Sequence, residues 1–276
     1  MIRLCIAGAT GRMGTALIGE AVTRGFQVVG AVVSPADSST GKSQREVENL
    51  SSELKVVDST HLEEAVRDAD VYVTFTTPTA ELANLPVVAN VGTRIVMGTT
   101  GFTMEQMATL REAVRFKVPA VFSPNYSLGI NLFFKLIKML SLLPSDYDFS
   151  VIEVHHIGKK DAPSGTAQKI SELVSQVRGY TNVIHGREGV CPRRPGELEV
   201  FSARVGGVPG THELMIAGAH EMIRIQHVAF SRSAFAEGAL RAAEWICGQN
   251  KPGIYTMDDV LMENGNSQRR ARRNVS

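Results

Sequence analysis

The densest chemistry in the 276-residue chain lies in one stretch, Glu153-Val-His155-His156-Ile-Gly-Lys159-Lys-Asp161-Ala-Pro163-Ser164-Gly165-Thr166-Ala. Adjacent histidines exchange protons near neutral pH, and lysines pair with anions or donate protons. Ser164-Gly165-Thr166 opens a helical pattern, so its backbone N–H groups can hold a carboxylate at a helix N-terminus. Pro163 and Ser164 also suit a helix start for capping alone. Taken singly, each histidine reads as structural and each lysine as surface charge. Together, beside an anion turn, they point to a site where an anionic substrate gains a proton.

A second stretch, Gly8-Ala9-Thr10-Gly11-Arg12-Met13-Gly14, follows the first apolar run and precedes a helical pattern. Its glycines are spaced GxxGxxG, not GxGxxG, but the physics is that of a dinucleotide turn. Glycine permits the tight bend, close backbone approach to pyrophosphate and helix–strand packing. An acid that would bind a ribose 2′-OH is expected at the end of the second strand. Ser34-Pro35 stands there instead, with Asp37 the nearest acid and Arg12, Lys42 and Arg45 the nearby cations. This favours NADPH over NADH, although Lys42 and Arg45 also suit a solvated loop. Phe75-Thr76-Thr77-Pro78, Gly98-Thr99-Thr100-Gly101 and Ser123-Pro124-Asn125-Tyr126 each follow a strand pattern. They fall where open α/β sheets bind ligands, and equally read as ordinary strand-to-helix turns.

The elements that must position these residues alternate along the first 125 positions. Strands are expected at Ile2–Ala7, Gln27–Val33, Asp70–Phe75, Arg94–Met97 and Pro119–Phe122. Helices are expected at Met13–Arg24, Leu62–Arg67, Ala80–Val91 and Met104–Phe116, with a loop over Ser34–Ser52. Alternation of this kind predicts an α/β domain built on a Rossmann-type parallel sheet. After a helix at Leu128–Leu143 the pattern changes to strands at Phe149–His155, Glu197–Val205, His212–Ala217 and Met222–Ala229. One helix at Thr166–Val177 interrupts them, which predicts a second, mixed α+β domain with a mostly antiparallel layer. A helix at Ala234–Cys247 and a closing element at Ile254–Met262 follow, then a polar basic tail expected to be disordered.

Composition narrows the function. At 43% hydrophobic and 21% charged, the chain has core enough for one large domain or two modest ones. The net charge is only +1, and Arg269, Arg270, Arg272 and Arg273 in the tail supply four of the positive charges. The body is a poor footprint for nucleic acid. No apolar run reaches the roughly 20 residues of a membrane span, and the N-terminus lacks a signal-peptide pattern. Cys5, Cys191 and Cys247 are odd in number and far apart, and no CxxC or HExxH spacing occurs, so neither disulfides nor a metal site is expected.

Taken together, the glycine turn, the three later turns and especially His155-His156, Lys159 and Asp161-Ala-Pro-Ser-Gly-Thr-Ala167 resemble the 4-hydroxy-tetrahydrodipicolinate (dihydrodipicolinate) reductase family. The likeness continues through Ser202-Ala-Arg204-Val-Gly206, Gly210-Thr-His212-Glu213 and Ser231-Arg232, and covers nearly everything but the basic tail. The resemblance implies a cytoplasmic homotetramer that reduces a cyclic dicarboxylate with NADPH or NADH, in lysine and diaminopimelate biosynthesis. It implies a dinucleotide domain of residues 1–126 plus 235–276, and a substrate and tetramerisation domain of 127–234. In it, His155 acts in acid–base chemistry and Lys159 is the proton donor. His156, Lys159, Ser164, Gly165 and Thr166 contact substrate. Cofactor contacts fall on Gly8 to Met13, Ser34, Phe75, Thr76, Gly98 to Thr100 and Ser123 to Tyr126. Ser34-Pro35 departs from the charged residues that family members often carry there. The insertion-like Cys191-Pro-Arg193-Arg194-Pro195 has no assigned role. Two alternatives stay open: another Rossmann dehydrogenase acting on an amino acid, and a catalytically silent NADPH-binding redox sensor.

Overall fold

The computed structural model describes residues 1–35 and 56–262. The chain forms two compact units, one of Met1–Ser127 with Phe235–Ser276, the other of Leu128–Ala234. Asp37, Lys42, Arg45 and the basic tail lie outside the described residues.

The first unit is built on a seven-stranded parallel sheet. Its strands are β1 (Arg3–Ala7), β2 (Gln27–Val33), β3 (Val56–Asp58), β4 (Val71–Thr74), β5 (Arg94–Met97), β6 (Pro119–Phe122) and β12 (Gly253–Tyr255). They lie in the order β12-β6-β5-β4-β1-β2-β3, and every pairing is parallel. The central strands read as apolar runs because helices cover both faces. Leu4, Cys5, Ile6, Val71, Tyr72, Val73, Ile95 and Val96 are fully buried. The helices are α1 (Arg12–Thr23), α2 (Leu62–Arg67), α3 (Pro78–Val91), α4 (Met104–Val114) and α7 (Ser233–Cys247). Thr77 caps α3, and Thr103 with Gln106 forms a capping box on α4. The closing element expected over Ile254–Met262 begins in β12, which adds to β6 as an edge strand, and continues as helix over residues 257–262.

The second unit packs α5 (Leu128–Met139) and α6 (Gly165–Arg178) on a five-stranded sheet. Its strands are β7 (Asp148–His155), β8 (Asn182–Ile184), β9 (Glu197–Arg204), β10 (Gly210–Ala217) and β11 (Met222–Ala229). The order is β11-β10-β7-β9-β8. The layer is mixed, not mostly antiparallel: β10 pairs antiparallel with β11 and β7, but β9 runs parallel to β7 and β8. Helix α6 makes the parallel return possible by carrying the chain back after β7. The helix expected to reach Leu143 ends at Met139 and tightens into a 3-10 turn over Leu140–Leu142. One face of α5 and α6, with Ile130, Phe133, Ile137, Ile170 and Val174, closes on Phe149, Val151, Leu198 and Leu214. Among the described residues no helix is long and apolar enough to cross a membrane.

Candidate active site

In the first unit the four turns singled out from the sequence interlock at the carboxyl edge of the parallel sheet. Gly8 has φ +73°, and a Cβ there would stand 2.8 Å from the Phe75 carbonyl oxygen. A Cβ on Gly14 would fall 2.0 Å from the Gly8 carbonyl oxygen, so α1 reaches the turn only as glycine. Gly8 and Ala9 both donate N–H to the Val32 carbonyl, at 2.9 and 3.2 Å. Helix α1 then starts at Arg12 with no side-chain cap and no acidic residue in its first turn. Its positive end suits an anion, and Gly11 and Arg12 are exposed there. Ser34 and Pro35 are exposed just past β2.

Phe75 is the keystone of the other three turns. Its ring lies where a Gly98 side chain would be, 2.1 Å from an ideal Cβ. It also meets Tyr126 edge-on with ring centres 5.6 Å apart. The buried Tyr126 hydroxyl donates toward the Met97 and Val121 carbonyls, each at 2.9 Å. Ser123 Oγ donates to the Asn125 carbonyl at 2.8 Å. The Thr76 N–H donates to Thr99 Oγ1 at 2.9 Å, so the second and third turns are joined directly. Glu81, fully buried on α3, accepts from Thr74, Thr76 and Thr99 hydroxyls on one carboxyl oxygen. Burial raises the Glu81 pKa, with the threonine hydroxyls pulling the other way. A cleft of about 510 Å³ opens beside the turns, lined by Thr99, Thr100, Phe102, Met107, Arg111 and Pro124 among others.

In the second unit the histidine–lysine stretch sits at the end of β7 and in the turn after it. Side chains two apart on a strand share a face, and this brings Glu153 and His155 together. The carboxylate of Glu153 pairs with His155 Nδ1. Its other oxygen lies 3.0 Å from the Arg204 guanidinium and accepts the Ser164 N–H at 3.3 Å. Burial alone would raise the Glu153 pKa, but hydrogen bonds from His155, Ser202 and Arg204 outweigh it and hold it at about 2. An ionised carboxylate only accepts, so Nδ1 of His155 carries a proton. The ring edge with Nε2 lies over Gly210, where a Cβ would come within 3.1 Å. His212 meets this ring edge-on at 5.1 Å. Burial and the nearby His155 push His212 down to about 3, so it is neutral. Lys159 Nζ pairs with both oxygens of Asp161, at 2.7 and 3.0 Å, and His156 is half-buried beside them.

Ser164 caps helix α6. The residue is 2% exposed, and its hydroxyl accepts the Ala167 N–H at 3.2 Å and lies 3.2 Å from His212 Nε2. The anion reading of this turn therefore rests on exposed Gly165 and half-buried Thr166. Glu153, His155 and His212 offer ligand atoms within 4.8 Å of one another. The Arg204 cation on Glu153 occupies the charge a metal ion would use.

Comparison with known proteins decides the family. The model of the Dihydrodipicolinate reductase N-terminus matches residues 2–126, and that of the Dihydrodipicolinate reductase C-terminus matches 129–261. The chain belongs to the dihydrodipicolinate reductase family. It is 42% identical over 266 residues to the 4-hydroxy-tetrahydrodipicolinate reductase of Methanosarcina barkeri, covering 95% of this chain and 99% of that one. The Archaeoglobus fulgidus reductase is 40% identical over 264 residues, with 94% and 100% covered. A dipicolinate-bound dihydrodipicolinate reductase from Paenisporosarcina sp. TG-14 shares the fold at TM-score 0.72 and 22% identity, over 93% of this chain and 97% of that one. An amine dehydrogenase from Mycobacterium smegmatis also shares the fold, at TM-score 0.66 and 16% identity, with 93% and 95% covered. As a family member the protein is an oxidoreductase.

Sequence reasoning assigned no role to several residues of this reductase's cluster. Glu153 was legible, since it stands two residues before His155 on a strand. His212 alternates with Leu214 and Ile216 on β10, all buried, and so reads as core. Arg204 and Asp161 stand within the motifs that carry the resemblance, but neither had an assigned role. The unassigned Cys191–Pro195 segment proves to be pinned by arginines. Arg187 pairs with Glu197 at 2.8 Å and Glu199 at 3.2 Å and donates to the Cys191 and Pro192 carbonyls. Arg193 pairs with Asp148 at 2.9 Å. The segment is a tether across the start of β9.

Proposed function

We propose that this chain reduces 4-hydroxy-tetrahydrodipicolinate to tetrahydrodipicolinate with NADPH or NADH, in lysine and diaminopimelate biosynthesis. The observation that carries the reading is the pairing of Lys159 with Asp161 beside a His155 ring fixed by an ionised Glu153. The glycine cradle at Gly8, Gly11 and Gly14 and the uncapped start of α1 fit a dinucleotide pyrophosphate. Ala9, Thr10, Arg12 and Met13 lie along it, and Ser34 stands at the ribose end. Phe75, Thr76, Gly98, Thr99, Thr100 and Ser123 to Tyr126 form the edge that would hold the nicotinamide and its ribose. A reduced nicotinamide bound there supplies the hydride.

The second unit supplies the rest. His156 and the helix start at Gly165 and Thr166 hold substrate carboxylates. Lys159 donates the proton that quenches charge developing on the substrate nitrogen, and its own charge steadies that density beforehand. Asp161 keeps the ammonium in place. Glu153 holds the His155 ring with its proton on Nδ1, leaving Nε2 for polarising the substrate or relaying a proton.

The outer face of the five-stranded sheet is what supports a homotetramer. Ile152 pairs with Phe201 in register, and Met215 and Val228 share that face. Phe201 is 40% and Val228 42% exposed, and beside them on that face Glu213 binds Arg224 and Gln226, a mixed surface with apolar side chains that further copies of the chain would cover. Light scattering should give the mass of four chains. The activity is tested by consumption of NADPH or NADH absorbance with freshly generated dihydrodipicolinate synthase product. Absence of turnover with both cofactors would overturn the reading.

A further inference from the structure

Glu81 has no part in the chemistry above, yet its surroundings are unusual. A carboxyl with 0% exposure sits under the sheet edge, and Thr74 Oγ1 at 2.6 Å, Thr76 Oγ1 at 2.6 Å and Thr99 Oγ1 at 2.5 Å converge on its Oε1. Among the described residues Oε2 has no hydrogen-bond partner. If apolar packing were all that was needed, a leucine would fill this space without the cost of burying a polar group.

A threonine hydroxyl has one proton and two lone pairs. Each proton given to Oε1 leaves that hydroxyl able only to accept. This holds for an ionised carboxylate and also for a neutral carboxyl with its proton on the unpartnered Oε2. Thr99 Oγ1 already accepts the Thr76 N–H at 2.9 Å, which fixes the two turns to each other. Without Glu81 both hydroxyls could rotate and offer a proton instead.

We propose that Glu81 is a positioning residue for the nicotinamide half of the cofactor: it fixes Thr76 and Thr99 as acceptors, so that this edge selects a ligand N–H donor such as a carboxamide. The inference rests on the dinucleotide reading of the first unit. The alternative is a structural acid that only favours the start of α3.

The test compares NADH with ADP-ribose, which is the same molecule without the nicotinamide ring. NADPH against 2′-phospho-ADP-ribose forms a second pair. Dissociation constants are measured by calorimetry for wild type, Glu81→Gln and Glu81→Leu, with folding checked by circular dichroism. Glu81→Gln keeps an acceptor oxygen and should hold the wild-type preference for the nicotinamide-bearing ligand within about threefold. Glu81→Leu should lower that preference by about tenfold, equivalent to ~1.4 kcal/mol, with ADP-ribose affinity little changed. A structural acid would move both ligands alike. An unchanged preference in Glu81→Leu, or equal losses in the Gln and Leu variants, overturns the proposal. If Glu81→Leu does not fold, Thr76→Val/Thr99→Val must lower the same preference, and an unchanged value is equally fatal. Wild type that binds neither ligand of either pair refutes the dinucleotide reading itself, and the proposal falls with it.

Discussion

Gly14→Ala and Gly19→Ala place the same methyl group on the same helix with opposite expected results. Alanine is favoured over glycine in a helix interior by about 1 kcal/mol. At Gly19 nothing lies within 4 Å of the new Cβ, so that gain should appear as added stability of about 0.5–1 kcal/mol. At Gly14 the Cβ would meet the Gly8 carbonyl oxygen at 2.0 Å and Ala9 backbone atoms at 2.7 Å. Helix α1 must then retreat by roughly 1 Å from the turn, and overpacking of this kind costs about 1–3 kcal/mol. The two variants should therefore differ in stability by about 1.5–4 kcal/mol. The retreat also moves the first N–H groups of α1 away from the glycine turn proposed to hold the pyrophosphate. Calorimetry should show dinucleotide affinity reduced about tenfold or more in Gly14→Ala, or ~1.4 kcal/mol, and unchanged in Gly19→Ala. Thermal and urea unfolding give the stability difference. Equal unfolding midpoints for the two variants, or unchanged affinity in Gly14→Ala, would refute the cradle argument.

Ser164→Ala should lower stability by about 1 kcal/mol through loss of the α6 cap and leave the substrate KM nearly unchanged; a large KM rise at constant stability would put the hydroxyl on the substrate. His212, pushed down to about 3 from 6.5, stays neutral in the folded chain while the unfolded chain protonates it, so stability is lost as pH falls below about 6.5. The loss at pH 5 is about 2 kcal/mol, and His212→Gln should flatten the stability profile between pH 6.5 and 4; a variant that keeps the wild-type slope would show that His212 is not its source. Ser34→Asp should shift preference toward NADH, by placing an acceptor at the 2′-OH and repelling a 2′-phosphate; a wild type that already prefers NADH tenfold, about 1.4 kcal/mol, would remove the basis for this.

Much of the fold was written in local patterns. The apolar run ending at Ala7, the glycines after it and the repeated strand–turn–helix units specify a parallel sheet without long-range information. β3, β8 and β12 were not read as strands because three residues carry no usable period, and each is defined by its neighbour: β2, β9 and β6. The parallel pairing of β7 with β9 is likewise non-local, so strand runs alone suggested an antiparallel layer. His155, His156 and Lys159 stood out by density of donors. Glu81 did not, since an acid in the first turn of a helix is ordinary and only tertiary packing buries it under three threonines. Ser164 fitted both a cap and a substrate contact in sequence, and the partners of its hydroxyl show the cap.

The proposed role of Lys159 is to supply a proton in the transition state. Steady-state kinetics of Lys159→Ala with the dihydrodipicolinate synthase product test it most directly. Loss of a donor used only in the transition state lowers kcat and kcat/KM together. A fall in kcat of about 10²-fold or more is expected, with cofactor affinity unchanged. A variant with wild-type kcat and a raised KM would contradict it and make Lys159 a substrate anchor.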